Sequence, residues 1–160
     1  MTFPVSIRPA TAGDAGAILL CLASAFEPYR ASYTLQAYLD TVLTTETLEE
    51  RFASMSILVA VTASGEIVGT ISLQATTAGE GHLRGMAVLP ACMGAGVAER
   101  LLRVAERELA ARGCRRVSLD TTKPLLRAIR FYEKQGYCRS GTVTEFFGMP
   151  LIEFVKVLSV

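Results

Sequence analysis

The chain is 160 residues long, close to one domain at roughly 150 residues each, and a chain of this length can bury about 70% of its unfolded surface. Hydrophobic residues make up 51% and charged residues 19%, with 16 Lys+Arg against 15 Asp+Glu, which excludes compositional disorder and leaves no basic field for nucleic acid. The longest apolar stretch, Ala17 to Ala23, is far short of the roughly 20 residues of a membrane span, and no basic segment followed by an apolar core opens the chain. One soluble cytoplasmic domain over 1–160, with no nucleic-acid or membrane partner, is expected.

A first strand is predicted over Phe3 to Arg8, and Thr11 with Asp14 three residues later forms a capping pattern that opens a helix carrying Ile18, Cys21, Leu22, Ala25 and Phe26. Leu35, Tyr38, Leu39 and Val42 mark a second helix, and Leu48, Phe52 and Met55 a third. Ile57–Ala63 and Ile67–Leu73 read as strands joined through Ser64-Gly65, and His82–Leu89 as a strand stopped by Pro90. Helical spacing resumes from Gly94 through Val97, Leu101, Val104, Ala105 and Leu109, up to Gly113. Arg115–Thr121 is a strand, Pro124 opens a helix with Leu125, Ala128, Ile129 and Tyr132, and Tyr137–Val143 and Ile152–Leu158 are final strands. The pattern is one mixed α/β domain.

Cys21, Cys92, Cys114 and Cys138 are scattered, without a CxxC pair and with a single histidine in the chain. No metal site is expected; such cysteines read as small buried hydrophobes of a reducing compartment.

Gly94 and Gly96 stand between a strand and a helix. Glycine there permits a tight turn, and the helix start presents unpaired amides and a partial positive charge that can hold a pyrophosphate without Lys or Arg. The dinucleotide fingerprint GxGxxG fails because Glu99 stands at its third glycine, and no Gly-Lys-Ser/Thr exists for a Walker loop. That weakens a rival oxidoreductase reading, which would require a parallel sheet and NAD(H).

The longer string from Val88 through Pro90, Cys92, Met93, Gly94, Gly96 and Ala98 to Leu101-Leu102 resembles the acyl-CoA loop of the GCN5-related N-acetyltransferase (GNAT) family, VxPxx(R/Q)GxGxGxxLL with Ala tolerated at the last Gly. Ala128, Phe131, Tyr132, Gly136 and Tyr137 are similar to its later signature, NxxAxxFYxxxG(F/Y). Met93 replaces the usual Arg or Gln, and Leu125 replaces the Asn. The resemblance implies a mixed, mainly antiparallel sheet of about six to seven strands flanked by helices. It implies acetyl-CoA as co-substrate, bound by Met86, Ala87 and Val88 on the strand and by Gly94, Ala95, Gly96, Val97, Ala98 and Glu99 at the helix start. The Val88 amide would face the thioester oxygen.

In that frame Tyr132 is the general acid for the leaving thiolate, since a phenol of pKa about 10 matches a thiol of about 8.5 to 10. An ammonium acceptor must lose a proton before it attacks, and His82, six positions before Val88, is the leading base, with Glu80 in reserve and Glu145 behind it. Arg100, Arg103, Arg107, Arg127 and Arg130 are candidates for the 3′-phosphate or for solvated helix faces. The acceptor, a primary amine of a small molecule or peptide, would be walled by Phe26, Tyr29, Arg30, Tyr33, Tyr38 and the segment Glu145 to Pro150 with Phe146 and Phe147. A homodimer and a non-catalytic acyl-CoA sensor of the same fold stay open.

Overall fold

A computed structural model describes residues 4–159. The strands are β1 (Val5–Pro9), β2 (Ser56–Thr62), β3 (Ile67–Ala75), β4 (Glu80–Val88), β5 (Arg116–Thr122), β6 (Cys138–Phe146) and β7 (Met149–Val157), in the sheet order β1-β2-β3-β4-β5-β7-β6. The helices are α1 (Ala15–Phe26), α2 (Leu35–Thr41), α3 (Thr45–Ser54), α4 (Val97–Ala111) and α5 (Leu126–Lys134). Every strand pairing is antiparallel except β4 with β5. The parallel sheet of the oxidoreductase reading is therefore not the sheet this chain forms.

The two faces of the sheet are covered by different helices. Val97, Leu101, Leu102, Ala105 and Leu109 of α4, with Ile129 and Tyr132 of α5, pack on Leu83, Val117, Leu119 and Phe154. Ile18, Cys21 and Leu22 of α1 and Leu48 of α3 pack on Ile57, Val59 and Ile67 of the opposite face. The 3.6-residue period of α4 explains its apolar stripe. Its close seat on the sheet requires Gly69, where a Cβ would stand 2.9 Å from Leu101 Cδ1.

Most expected elements are present, and several differ in their bounds. The described part of the first strand begins at Val5, and Phe3 lies outside the described residues. Thr11 and Asp14 do form the cap, the Thr11 N–H donating to Asp14 Oδ2 at 2.8 Å, but over a short 3-10 turn (Ala12–Asp14) that precedes α1. Arg8 grips the same carboxylate at 2.7 Å and holds its pKa well below the usual range. Pro124 stays ahead of α5, which starts at Leu126.

The final hairpin is also longer than expected, turning at Phe147 and Gly148, both with positive φ. Strand β6 is an edge strand exposed along almost its whole length, and its extension past the expected Val143 to Phe146 carries no apolar alternation for a sequence reading to detect. It begins at Cys138, which is exposed and not a buried hydrophobe as expected; Cys21, Cys92 and Cys114 are buried, and all four are free.

Two local irregularities shape the middle of the sheet. Pairing of β4 with β5 runs only from Glu80–Arg116 to Leu83–Leu119. Beyond it, Arg84 to Val88 and Asp120 to Thr122 diverge without pairing to each other, which opens the sheet. In the same stretch β4 bulges against β3, Arg84 facing Ser72 and Ala87 facing Thr70, with Gly85 at φ 64° supplying the left-handed residue. One extra residue reverses the alternation, so Ala87 joins the α1 side and Val88 the α4 side.

Candidate active site

A cavity of about 700 Å³ passes through this opening. On the α4 side it is lined by Gly94, Gly96, Val97, Ala98 and Glu99, by Leu125, Arg127, Ala128 and Tyr132 of the α5 region, and by Met93. Met86, Ala87 and Val88 of β4 and Leu119 to Thr122 of β5 form its waist. On the α1 side it reaches Phe26, Tyr29, Tyr33, Asp40, Arg51, His82, Arg84 and Phe146. The volume and mixed lining suit a small-molecule site.

At the α4 end the chain turns through Gly94 (φ 77°) and Gly96 (φ 84°), and the first intrahelical bond is the Arg100 N–H to the Gly96 carbonyl at 3.1 Å. The amides of Val97, Ala98 and Glu99 precede that bond and are the orphan donors of the helix start. A methyl built on Gly96 would meet nothing within 4 Å, and one on Gly94 would meet Arg127 Nη2 at 3.6 Å. The structure thus brings Arg127 of α5 over the turn whose own position 93 has no cation. Of the other candidate arginines, Arg100 donates to the Val5 carbonyl and Arg103 pairs with Glu99 at 2.5 Å, and Arg107 and Arg130 do not line the cavity.

At the waist, Thr121 Oγ1 is the one side-chain polar atom among the described residues that is fully enclosed and has no hydrogen-bond partner. It belongs to a residue of β5 just past the end of the β4–β5 pairing, among those that line the cavity. Tyr132 lies against Phe131 and Tyr137 with ring centroids at 5.4 and 5.9 Å in edge-on geometry. Its hydroxyl makes no hydrogen bond to a described residue, and burial raises its pKa above the ordinary phenol value. The phenol therefore stays protonated at neutral pH.

On the opposite face, strand alternation places His82 and Arg84 of β4 beside Ser118 and Asp120 of β5. His82 Nδ1 is 2.9 Å from Ser118 Oγ, and Nε2 is 3.8 Å from Asp120 Oδ2. Burial lowers the His82 pKa below 6.5, with Asp120 and Glu153 opposing the shift and Arg84 adding to it. Burial likewise raises the Asp120 pKa, against the pull of His82. At neutral pH the imidazole is uncharged, with a lone pair available on one nitrogen. Tyr33, just past the 3-10 turn that follows α1, shares a 2.6 Å hydrogen bond with Thr122 and anchors the aromatic wall to β5.

Of the predicted cofactor residues, all but Ala95 line the cavity, and both Tyr132 and His82 reach it. The reserve bases do not. Glu80 is held by Arg116, with both oxygens at 3.1 Å, and Glu145 is on the exposed edge strand. Among the expected acceptor walls, Phe26, Tyr29, Tyr33 and Phe146 line the cavity. Arg30, Tyr38 and Phe147 do not: Arg30 lies over the Tyr38 ring at 5.1 Å, Tyr38 donates to Glu27 at 3.3 Å, and Phe147 points outward at 49% exposure. The sequence assigns no site role to Asp120, Thr121 and Arg51, which line the cavity, or to Ser118, which touches His82; register and packing bring them there.

The model of the acetyltransferase (GNAT) family matches residues 22–137, and the chain belongs to that family. Acyl transfer is the reaction class this membership supports. No curated protein matches the sequence. Among solved structures, the chain is similar to the PaiA N-acetyltransferase from Thermoplasma acidophilum in complex with coenzyme A (TM-score 0.81, 17% identity, 98% of this chain and 100% of that one). It is also similar to the ribosomal-protein-S18-alanine N-acetyltransferase from Escherichia coli (TM-score 0.78, 17% identity, 98% and 96%). A GNAT-family acetyltransferase from Staphylococcus aureus Mu50 has a TM-score of 0.77 at 16% identity, over 98% and 100% of the two chains. At these identities the likeness speaks for the fold.

The residues present fit an acyl-CoA. The turn at Gly94 and Gly96 offers donors and space to a diphosphate, the opening between β4 and β5 accepts a narrow chain, and the orphan Thr121 hydroxyl lies along it. No helix among the described residues is long and apolar enough to cross a membrane.

Proposed function

We propose that this chain is an N-acetyltransferase that moves an acetyl group from acetyl-CoA to a primary amine of a small molecule or peptide, by direct attack in a ternary complex. The observation that carries the reading is the single cavity that joins the anion-holding turn of α4, the opened β4–β5 seam and the His82 side of the sheet. Both partners of a direct transfer can reach one point from opposite faces. When bound, acetyl-CoA supplies the activated acyl carbon and a thiolate leaving group.

The amides of Gly94 to Glu99 and the Arg127 guanidinium hold the diphosphate, and Met86 to Val88 orient the pantetheine arm through their backbone. The Val88 N–H faces the thioester oxygen, and one preorganised donor of this kind contributes roughly 3 to 4 kcal/mol in the transition state. His82 takes the proton from the acceptor's ammonium group, directly or through one water. Ser118 Oγ stands 3.5 Å from the Gly81 carbonyl, and when it donates there, His82 donates from Nδ1–H to Ser118 and keeps the lone pair on Nε2. As the amine nitrogen bonds to the acyl carbon and the carbon–sulfur bond breaks, Tyr132 gives its phenolic proton to the sulfur. A cytoplasmic location belongs to the same proposal, supported by four free cysteines.

The test is thiol release at fixed acetyl-CoA across a panel of amines. Release with one class of amine supports the transferase. Saturable CoA binding without turnover on any amine would favour a sensor, the reading that Met93 and Leu125 at the cofactor wall speak for.

A further inference from the structure

Arg51 is an anomaly on α3. Only 7% of the residue is exposed, and its guanidinium, which faces the cavity, makes no hydrogen bond or ion pair with any described residue. A buried guanidinium normally directs its five N–H donors to a carboxylate or to carbonyls, because an unpaired buried charge is expensive. The nearest acid is already taken: Asp40 accepts from Arg84 Nη2 at 2.5 Å. Burial and the Arg84 charge push the Arg51 pKa down to about 10, which still leaves it fully cationic at neutral pH.

Its position is set by the bulge in β4. Arg51 Nη1 lies where a Cβ on Gly85 would be 2.5 Å away, so only glycine there lets the guanidinium rest on the strand. From that seat it lines the cavity together with Asp40, Arg84, Tyr29 and Met55. The α4 turn that suits the cofactor's diphosphate belongs to the other face of the sheet, so Arg51 is on the acceptor's side. Gly85 is three positions before Val88, at most about 10 Å along the strand and less across the bulge. Contact distances of about 3 Å at each end leave at most roughly 4 Å between an anion on Arg51 and a nitrogen at the acyl carbon.

We propose that Arg51 binds the carboxylate of the acceptor, and that the acceptor is a free amino acid whose amine and carboxylate are separated by two or three bonds. This rests on the transferase reading above and narrows it to one substrate class. Arginine is the side chain suited to the task, since its planar fork matches both carboxylate oxygens. The Arg84–Asp40 pair flanks the same wall and keeps a second acid from neutralising Arg51 before the substrate arrives.

The experiment is a matched panel with the wild-type protein: L-amino acids, each beside its α-amide, at saturating acetyl-CoA. The proposal expects kcat/KM for the preferred amino acid to exceed that of its amide by about 10- to 150-fold, the worth of charge-assisted hydrogen bonds. In Arg51→Gln the amino acid should fall to the level of the amide through a raised KM, and Arg51→Lys should recover part of the difference. Removing an unpartnered buried cation also predicts that Arg51→Gln melts no lower than the wild type. Equal rates for acid and amide in the wild type, or no turnover on any amino acid, would overturn the assignment whether or not the variants fold. Calorimetry with CoA separates the two levels: CoA binding without carboxylate discrimination sinks Arg51 alone, and no CoA binding sinks the transferase reading beneath it.

Discussion

Replacing Tyr132 with phenylalanine isolates one proton. The ring is buried against Phe131 and Tyr137, and phenylalanine keeps both edge-on contacts. The hydroxyl has no hydrogen-bond partner among the described residues, so deleting it orphans no donor or acceptor in the fold. The stability change should stay below about 1 kcal/mol, which for a chain of this size is a melting shift of no more than about 4 °C. Turnover should respond very differently. If the phenol protonates the departing thiolate, losing it should lower kcat by about 10²- to 10⁴-fold, or roughly 2.7 to 5.4 kcal/mol at 1.36 kcal/mol per decade. The assay is steady-state thiol release with the best amine from the panel, beside a thermal melt and a CoA titration of both proteins. A kcat within twofold of wild type would refute the proton-donor role. A large fall accompanied by a melting drop well beyond 4 °C would show that packing, and not chemistry, had been disturbed.

The remaining predictions concern pH and the cofactor cradle. Because burial lowers the His82 pKa, protonation of the free enzyme removes the base only below 6.5, so kcat/KM should climb with pH along a limb centred below that value. His82→Gln should abolish this limb while leaving the one that belongs to the acceptor amine; a limb that survives the substitution would exclude His82 as base. Asp120 opposes the lowering, so Asp120→Asn should move the same limb to still lower pH, and a move upward would contradict the electrostatic account. Arg127→Gln should raise the Kd for CoA by about 5- to 150-fold, the scale of 1 to 3 kcal/mol for a charged hydrogen bond, and an unchanged Kd in calorimetry would remove Arg127 from the cradle.

The parts of this site that were legible in the sequence are those carried by local patterns. The turn at Gly94 and Gly96, the apolar stripe of α4 and the position of Tyr132 on α5 follow from glycine chemistry and helical period, and they are where the structure has them. His82 could be placed on a strand from spacing alone. Its surroundings could not, because Ser118 and Asp120 come beside it through the parallel β4–β5 register, a pairing across more than thirty residues of sequence. Thr121 was hidden for the same reason: its isolation depends on where the two strands part.

Arg51 was hidden for a different reason. A charged residue on a helix ordinarily faces water, and nothing in Thr45–Ser54 signals that one of its positions rests on a glycine bulge of β4. Conversely, the place of Arg100 and Arg103 on α4 suits a phosphate role and a solvated helix face equally, and local partners claim both. The final hairpin was underestimated because β6 has solvent on its faces, and past Val143 it has no hydrophobic period to detect.

The central claim is that the opened seam between β4 and β5 and the start of α4 together receive coenzyme A. A crystal structure of the protein grown with coenzyme A tests it most directly. The account predicts the diphosphate on the amides of residues 94–99 within reach of Arg127, and the pantetheine arm between the diverging strands with Thr121 Oγ1 gaining a hydrogen bond. Coenzyme A bound on another surface, or a seam closed by direct β4–β5 pairing, would contradict it.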